Sequence, residues 1–176
     1  EVIPAEVEGI KRRRPKSLVL QGGVCDRRGG LEFSLTNHST GLSAQTKHLL
    51  IDRAPQLVKE VRRVPCYSLN EILETAGLIK IDYMTVDTEG SEFSILNALD
   101  WNRFVIQIIQ IETIGAERDK RKKIVTLMES KGYRLIKEIS LGYDTTDLIY
   151  QRMVEADLMK YQSLLNDGWP KGFDSS

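Results

Sequence analysis

The stretch Ile81-Asp82-Tyr83-Met84-Thr85-Val86-Asp87-Thr88-Glu89-Gly90-Ser91-Glu92 constrains this chain more than any other. Ile79, Ile81, Tyr83, Met84 and Val86 form a short run rich in β-branched and aromatic residues, bounded by Gly77 and Gly90, which predicts a strand. From Ser91 onward Phe93, Leu96 and Leu99 recur at spacings of three, with Ile95 widening the stripe, so a helix with one apolar face begins at once. A strand that turns through a Gly-containing bend into a helix is the unit of an open α/β sheet, where ligands sit outside the carboxyl ends of parallel strands.

Three carboxylates, Asp87, Glu89 and Glu92, fall at or just before that helix N-terminus. Such acids can cap free backbone N–H groups and complement the helix dipole, each contributing roughly 0.3–1 kcal/mol. Glu92 fits this structural role, since it lies in the first turn. Asp87 and Glu89 flank the bend at alternate positions, so at least one can point into a cleft.

Elsewhere helix and strand signals alternate. Residues 4–14 read as a charged helix and 17–24 as a strand ending in Gly22-Gly23. Asp26-Arg27-Arg28-Gly29-Gly30 reads as a turn, 31–35 as an alternating strand and 36–47 as a polar loop. Residues 58–67 read as extended, and Ser68-Leu69-Asn70-Glu71 is a capping box opening a helix that Gly77 closes. Residues 104–112 are apolar on both faces, as in a central parallel strand, and deliver Glu112 to its carboxyl end. A basic amphipathic helix over 117–131 presents Ile124, Leu127 and Met128 to the sheet, with Gly132 at its C′ position. Two strands, 133–139 and 147–153, and a C-terminal helix and tail over 155–176, the helix ending near Gly168 and the terminus loose and polar, complete a single domain, 1–176, with no internal repeat and no linker.

Charge and cysteine content narrow the partners. The 25 basic and 25 acidic residues cancel, which argues against nucleic acid or an anionic membrane. The run Lys11-Arg12-Arg13-Arg14-Pro15-Lys16 reads as a solvated helix end, with phosphate contact as the alternative. Cys25 and Cys66 are too few for a disulfide framework or zinc site, and His38 and His48 lack ligand spacing with them, so reduced thiols are expected. No apolar run approaches the roughly 20 residues of a membrane span, and the N-terminus lacks the pattern of a signal peptide. A cytoplasmic protein is therefore expected, with the oligomeric state left open, a homo-oligomer included.

An ordered set of motifs carries a resemblance. Val64-Pro65-Cys66-Tyr67-Ser68-Leu69-Asn70-Glu71-Ile72-Leu73, then the Asp-x-Glu-Gly-x-Glu core at 87–92, then the strand ending at Glu112, Gly132-Tyr133 and Asp147-Leu148-Ile149-Tyr150 together resemble the FkbM-type family of S-adenosylmethionine-dependent methyltransferases. The likeness covers about residues 17–153. Asn70 stands where that family commonly has Asp, a helix-start position at which either residue serves.

The resemblance implies a three-layer Rossmann-like class I methyltransferase sheet with a C-terminal antiparallel strand pair. The glycine-rich turn that approaches the cofactor in such enzymes has no counterpart here, because Gly22-Gly23 and Gly29-Gly30 follow a later strand. The expectation is thus a domain incomplete at its N-terminus that binds S-adenosylmethionine weakly. On this alignment Glu1 corresponds to the acid that accepts hydrogen bonds from the ribose, and Asp26 lies where the fold approaches the adenine; a frayed terminus and an ordinary turn residue are their plainer readings. The implied chemistry is attack of a small-molecule or sugar hydroxyl on the sulfonium methyl group, with Asp87 as general base or orienting group, Glu89 its alternative and Glu112 lining the same mouth. A carboxylate cluster can also hold a divalent cation, but no dedicated loop is present and no metal is assigned. The competing reading is a non-catalytic methyltransferase-like binding or interaction domain.

Overall fold

Alternating apolar runs become seven strands and four helices among the residues described by the computed structural model: 1–36, 58–88, 90–114, 118–142 and 145–154. In chain order these are α1 (Pro4–Arg13), β1 (Gly23–Cys25), β2 (Gly29–Thr36), β3 (Val58–Ser68), α2 (Leu69–Thr75), β4 (Lys80–Val86), α3 (Glu92–Asn97), β5 (Val105–Ile114), α4 (Arg118–Ser130), β6 (Tyr133–Gly142) and β7 (Thr145–Arg152). The expected loop over 36–47 and the helical tail over 155–176 lie outside the described residues, apart from Thr36 at the end of β2.

The strands form two mixed sheets. In the first, of order β1-β3-β2, β1 runs parallel and β2 antiparallel to β3. The second has the order β4-β5-β7-β6. There β4 and β5 are adjacent and parallel, with Val86 opposite Ile111, as the sequence predicts. The final antiparallel pair also forms, with β7 inserted between β5 and β6. The mixed α/β class thus holds.

The core follows from strand register. Val86, Ile111 and Leu148 lie side by side across three strands, and Ile109 lies beside Tyr150. These residues cluster with Leu96, Leu99, Ile124, Leu127 and Met128 from α3, the turn after it and α4. Burying each such side chain stabilises the fold by roughly 1.5–3 kcal/mol. Tyr133 is buried and edge-on to Trp101 at 5.5 Å, and its hydroxyl donates to the Ile106 carbonyl at 2.7 Å. Among the described residues no helix is long and apolar enough to cross a membrane.

Two local expectations change. The strand read over 17–24 is confined to Gly23–Cys25, the residues that pair with β3 among those described. The reduced thiols are replaced by a Cys25–Cys66 disulfide, with Cα atoms 5.9 Å apart. Parallel pairing sets Gly23 opposite Cys66, which brings Cys25 within reach although 41 residues separate the cysteines in sequence.

Helix α2 is fixed at both ends and at its side. Ser68 Oγ accepts from the Glu71 N–H at 3.2 Å while Glu71 Oε2 accepts from the Ser68 N–H at 3.0 Å, completing the capping box. That Ser68 N–H holds the Glu71 carboxylate below its ordinary range. At the other end Gly77, at φ 67°, lets its N–H reach Glu74 O and the Leu78 N–H reach Leu73 O, a Schellman closure. Asn70 does more than start the helix: its Nδ2 donates to Ala98 O at 3.0 Å and its Oδ1 accepts from the Asp100 N–H at 2.9 Å, tying α2 to the turn after α3. An aspartate reproduces only the second bond, so Asp and Asn are not equivalent here.

Asn70→Asp should lower stability by about 0.5–1 kcal/mol, the lost hydrogen bond being partly offset by the helix dipole, and Asn70→Ala by about 1–2 kcal/mol. Denaturant melts that rank Asn70→Asp with the wild type would contradict the donor role.

Candidate active site at the carboxyl ends of the strands

The parallel ladder brings two acids level. Since Val86 pairs with Ile111, Asp87 and Glu112 are the next residues on neighbouring strands, at the sheet end where open α/β folds bind ligands. Antiparallel β7 then places Asp147 directly opposite Glu112. Asp87, Glu112 and Asp147 therefore form a row across β4, β5 and β7, running from exposed through half-buried to buried. The alternative acid Glu89 lies outside the described residues.

The bend carrying Asp87 is held by Glu92, which is only 4% exposed. Its Oε1 accepts from the Thr88 N–H at 2.8 Å, the Thr88 hydroxyl at 3.0 Å and the Gly90 N–H at 3.0 Å. Lys120 from α4 grips the same bend by donating from Nζ to Gly90 O at 3.0 Å. At φ 105° Gly90 adopts a conformation that L side chains rarely take. A first-turn cap of a few tenths of a kcal/mol is thus the wrong description of Glu92. The carboxylate turns back over the bend and stays out of water because three donors converge on one oxygen. Beside it Glu92, Glu112, Thr113, Lys120 and Arg121 line a small cleft between β5 and α4.

Sequence reasoning missed how Asp147 is used. Gln110 Nε2 donates to Asp147 Oδ2 at 2.5 Å, which turns Gln110 Oε1 toward the Tyr83 hydroxyl, its donor. A carboxylate can only accept, so the buried acid sets the orientation of the amide and the amide that of the phenol. The available signal was an Asp opening the apolar run Leu148-Ile149-Tyr150, where a buried charge needs a partner.

The proposed cofactor contacts sit on the first sheet. Glu1 pairs with the segment before β1 in the manner of a parallel strand: its amino group donates to Leu20 O at 3.2 Å and its carbonyl accepts from the Gly22 N–H at 2.9 Å. Its Oε1 accepts from the N–H groups of Val2 and Ile3, both at 2.9 Å, so it is an ordered strand-to-helix residue and not a frayed end. Asp26 is exposed just after β1. A carboxylate held in this way can accept from a diol such as the ribose of S-adenosylmethionine. Among the described residues we assign none to its methionine end.

Glu92→Ala strands the Thr88 and Gly90 donors and should cost about 2–3 kcal/mol, as expected for a hydrogen-bonded buried carboxylate. Thermal melting showing less than about 0.5 kcal/mol lost would return Glu92 to the role of a surface cap.

A family model described as the Methyltransferase FkbM domain matches residues 6–135, from α1 to the start of β6. No curated protein and no solved structure matches the chain. The match contains β4, the bend and the carboxyl end of β5, and so takes in Asp87, Glu92 and Glu112. On that match, which spans most of the 176 residues, the chain belongs to the FkbM methyltransferase family.

Proposed function

We propose that this domain serves S-adenosylmethionine-dependent O-methylation of a small-molecule or sugar hydroxyl, on a three-layer Rossmann-like frame. The observation that carries the reading is the exposed Asp87 carboxylate, set level with Glu112 at the carboxyl ends of two parallel strands and held there by the Glu92-locked bend. When bound, the cofactor supplies an electrophilic methyl group.

What the chain's own residues contribute is placement and proton transfer. A hydroxyl oxygen is a poor nucleophile until its proton is accepted as the new C–O bond forms, and Asp87 is the group to take it. Glu112, on the neighbouring strand, orients the acceptor from the other side of the mouth. Glu89 remains the alternative base. Asp147, turned toward Gln110, stays out of the proton transfer and stiffens the sheet beneath the mouth. Glu1 and Asp26 are assigned to the ribose and the adenine. Holding the hydroxyl against the methyl group would supply much of the rate, because correct orientation replaces a bimolecular encounter.

Transfer of labelled methyl groups to a panel of hydroxyl acceptors tests the reading. Asp87→Asn should lower kcat about 10²–10⁴-fold with little change in KM. Full turnover by that variant removes Asp87 from the role. Failure of every hydroxyl acceptor favours the second reading, a non-catalytic methyltransferase-like binding or interaction domain.

A further inference from the structure

The Cys25–Cys66 disulfide ties an exposed turn to the start of a helix at a place where little else holds it. β1 is three residues long, and the pairs Gly23–Cys66, Val24–Tyr67 and Cys25–Ser68 join it to β3. So short a ladder is weak. The turn after it, Asp26 to Arg28, is exposed, and Arg28 Nη1 meets Glu71 Oε1 of α2 at 3.5 Å in an ion pair open to solvent. Such pairs contribute little. The covalent bond, which bridges a sequence separation of 41 residues, is therefore the dominant tie between this turn and the β3–α2 junction.

The two sulfurs differ in access. Cys66 is 1% exposed, whereas Cys25 is half-buried and followed by the exposed Asp26. An external thiolate therefore meets Cys25 Sγ first. In exchange with a dithiol, that thiolate bonds to Cys25 Sγ, the Cys25–Cys66 bond breaks, and Cys66 leaves as a thiolate that takes up a proton. The second sulfur of the dithiol then displaces Cys25, so the protein gains two electrons and two protons while the reductant becomes a disulfide. A small disulfide such as glutathione disulfide reverses the exchange.

Packing sets what the reduced chain keeps. The main hydrophobic cluster is built from α2, β4, α3, β5, α4, β6, β7 and the turn after α3, and among the described residues β1, β2 and β3 contribute nothing to it. Losing the bond thus frees β1 and the Asp26 turn and leaves the sheet that carries Asp87 and Glu112 folded. A structural staple behaves differently, since its loss often abolishes folding of the whole domain.

We infer that Cys25–Cys66 is a reversible thiol–disulfide switch: oxidation clamps the Asp26–Arg28 turn to the start of α2, and reduction by a dithiol releases it. The inference stands on the disulfide and the core, and the assignment of Asp26 to the adenine supplies only its consequence for ligand binding.

Hydrogen exchange followed peptide by peptide, on protein kept in glutathione disulfide or in dithiothreitol, tests it. Reduction should speed exchange across residues 23–28 at least about tenfold while β4 and β5 keep their protection. Cys25→Ser should exchange like the reduced wild type in both buffers, and reoxidation of the wild type should restore protection. Two free thiols in glutathione disulfide, exchange over 23–28 unchanged by reduction, or protection lost across β5 as well would each overturn the inference, the last by making the bond a staple of the whole fold. Adenosine, as a probe of the assigned cofactor end, should bind about tenfold more weakly to the reduced form. Adenosine binding to neither form, with the exchange difference intact, would strike the Asp26 assignment and uphold the switch.

Discussion

A carboxylate buried at a strand-to-helix bend is costly unless donors replace the water it has lost. Glu92 satisfies that condition by gathering the Thr88 and Gly90 N–H groups and the Thr88 hydroxyl onto one oxygen. The result is a backbone trace held by hydrogen bonds at Thr88 and Gly90, with Lys120 closing it from α4. Asp87 owes its position to that trace. A general base needs definite placement, and a loop held only by its termini would not provide it.

The neighbouring acids depend on strand order. Parallel β5 brings Glu112 to the level of Asp87, and antiparallel β7 brings Asp147 opposite Glu112. Like charges facing each other across a ladder are destabilising. Gln110 relieves the buried member by donating to it. That three acids nonetheless share one level at the ligand-binding end of the sheet is a local violation of the kind folds tolerate at functional sites.

Much of this was legible in the sequence because it is local. Apolar periodicity located β4, β5 and α4 to within a few residues, and the capping box at Ser68 and Glu71 formed as read. The level placing of Asp87 and Glu112 at the sheet end follows from their place after apolar runs. What escaped depends on long-range geometry. Glu92 in the first turn looks the same in sequence whether it points to solvent or folds back over the bend. Asn70 reveals its donor bond only once Ala98 is beside it. Cys25 and Cys66 pair because β1 lies along β3, which no spacing rule encodes. Asp147 was quoted as part of a motif without a role, since its partner Gln110 is 37 residues away.

Residue-resolved amide hydrogen exchange at Thr88 and Gly90 tests the central claim, that Glu92 locks the bend which positions the acid. These amides belong to a connection, where exchange is ordinarily fast, yet both donate to a buried carboxylate. The account predicts that they exchange at least about tenfold more slowly than an open loop, and that Glu92→Ala abolishes this protection while the β5 amides keep theirs. Thr88 and Gly90 exchanging as freely as solvent-exposed amides in the wild type, with β4 and β5 protected, would contradict it.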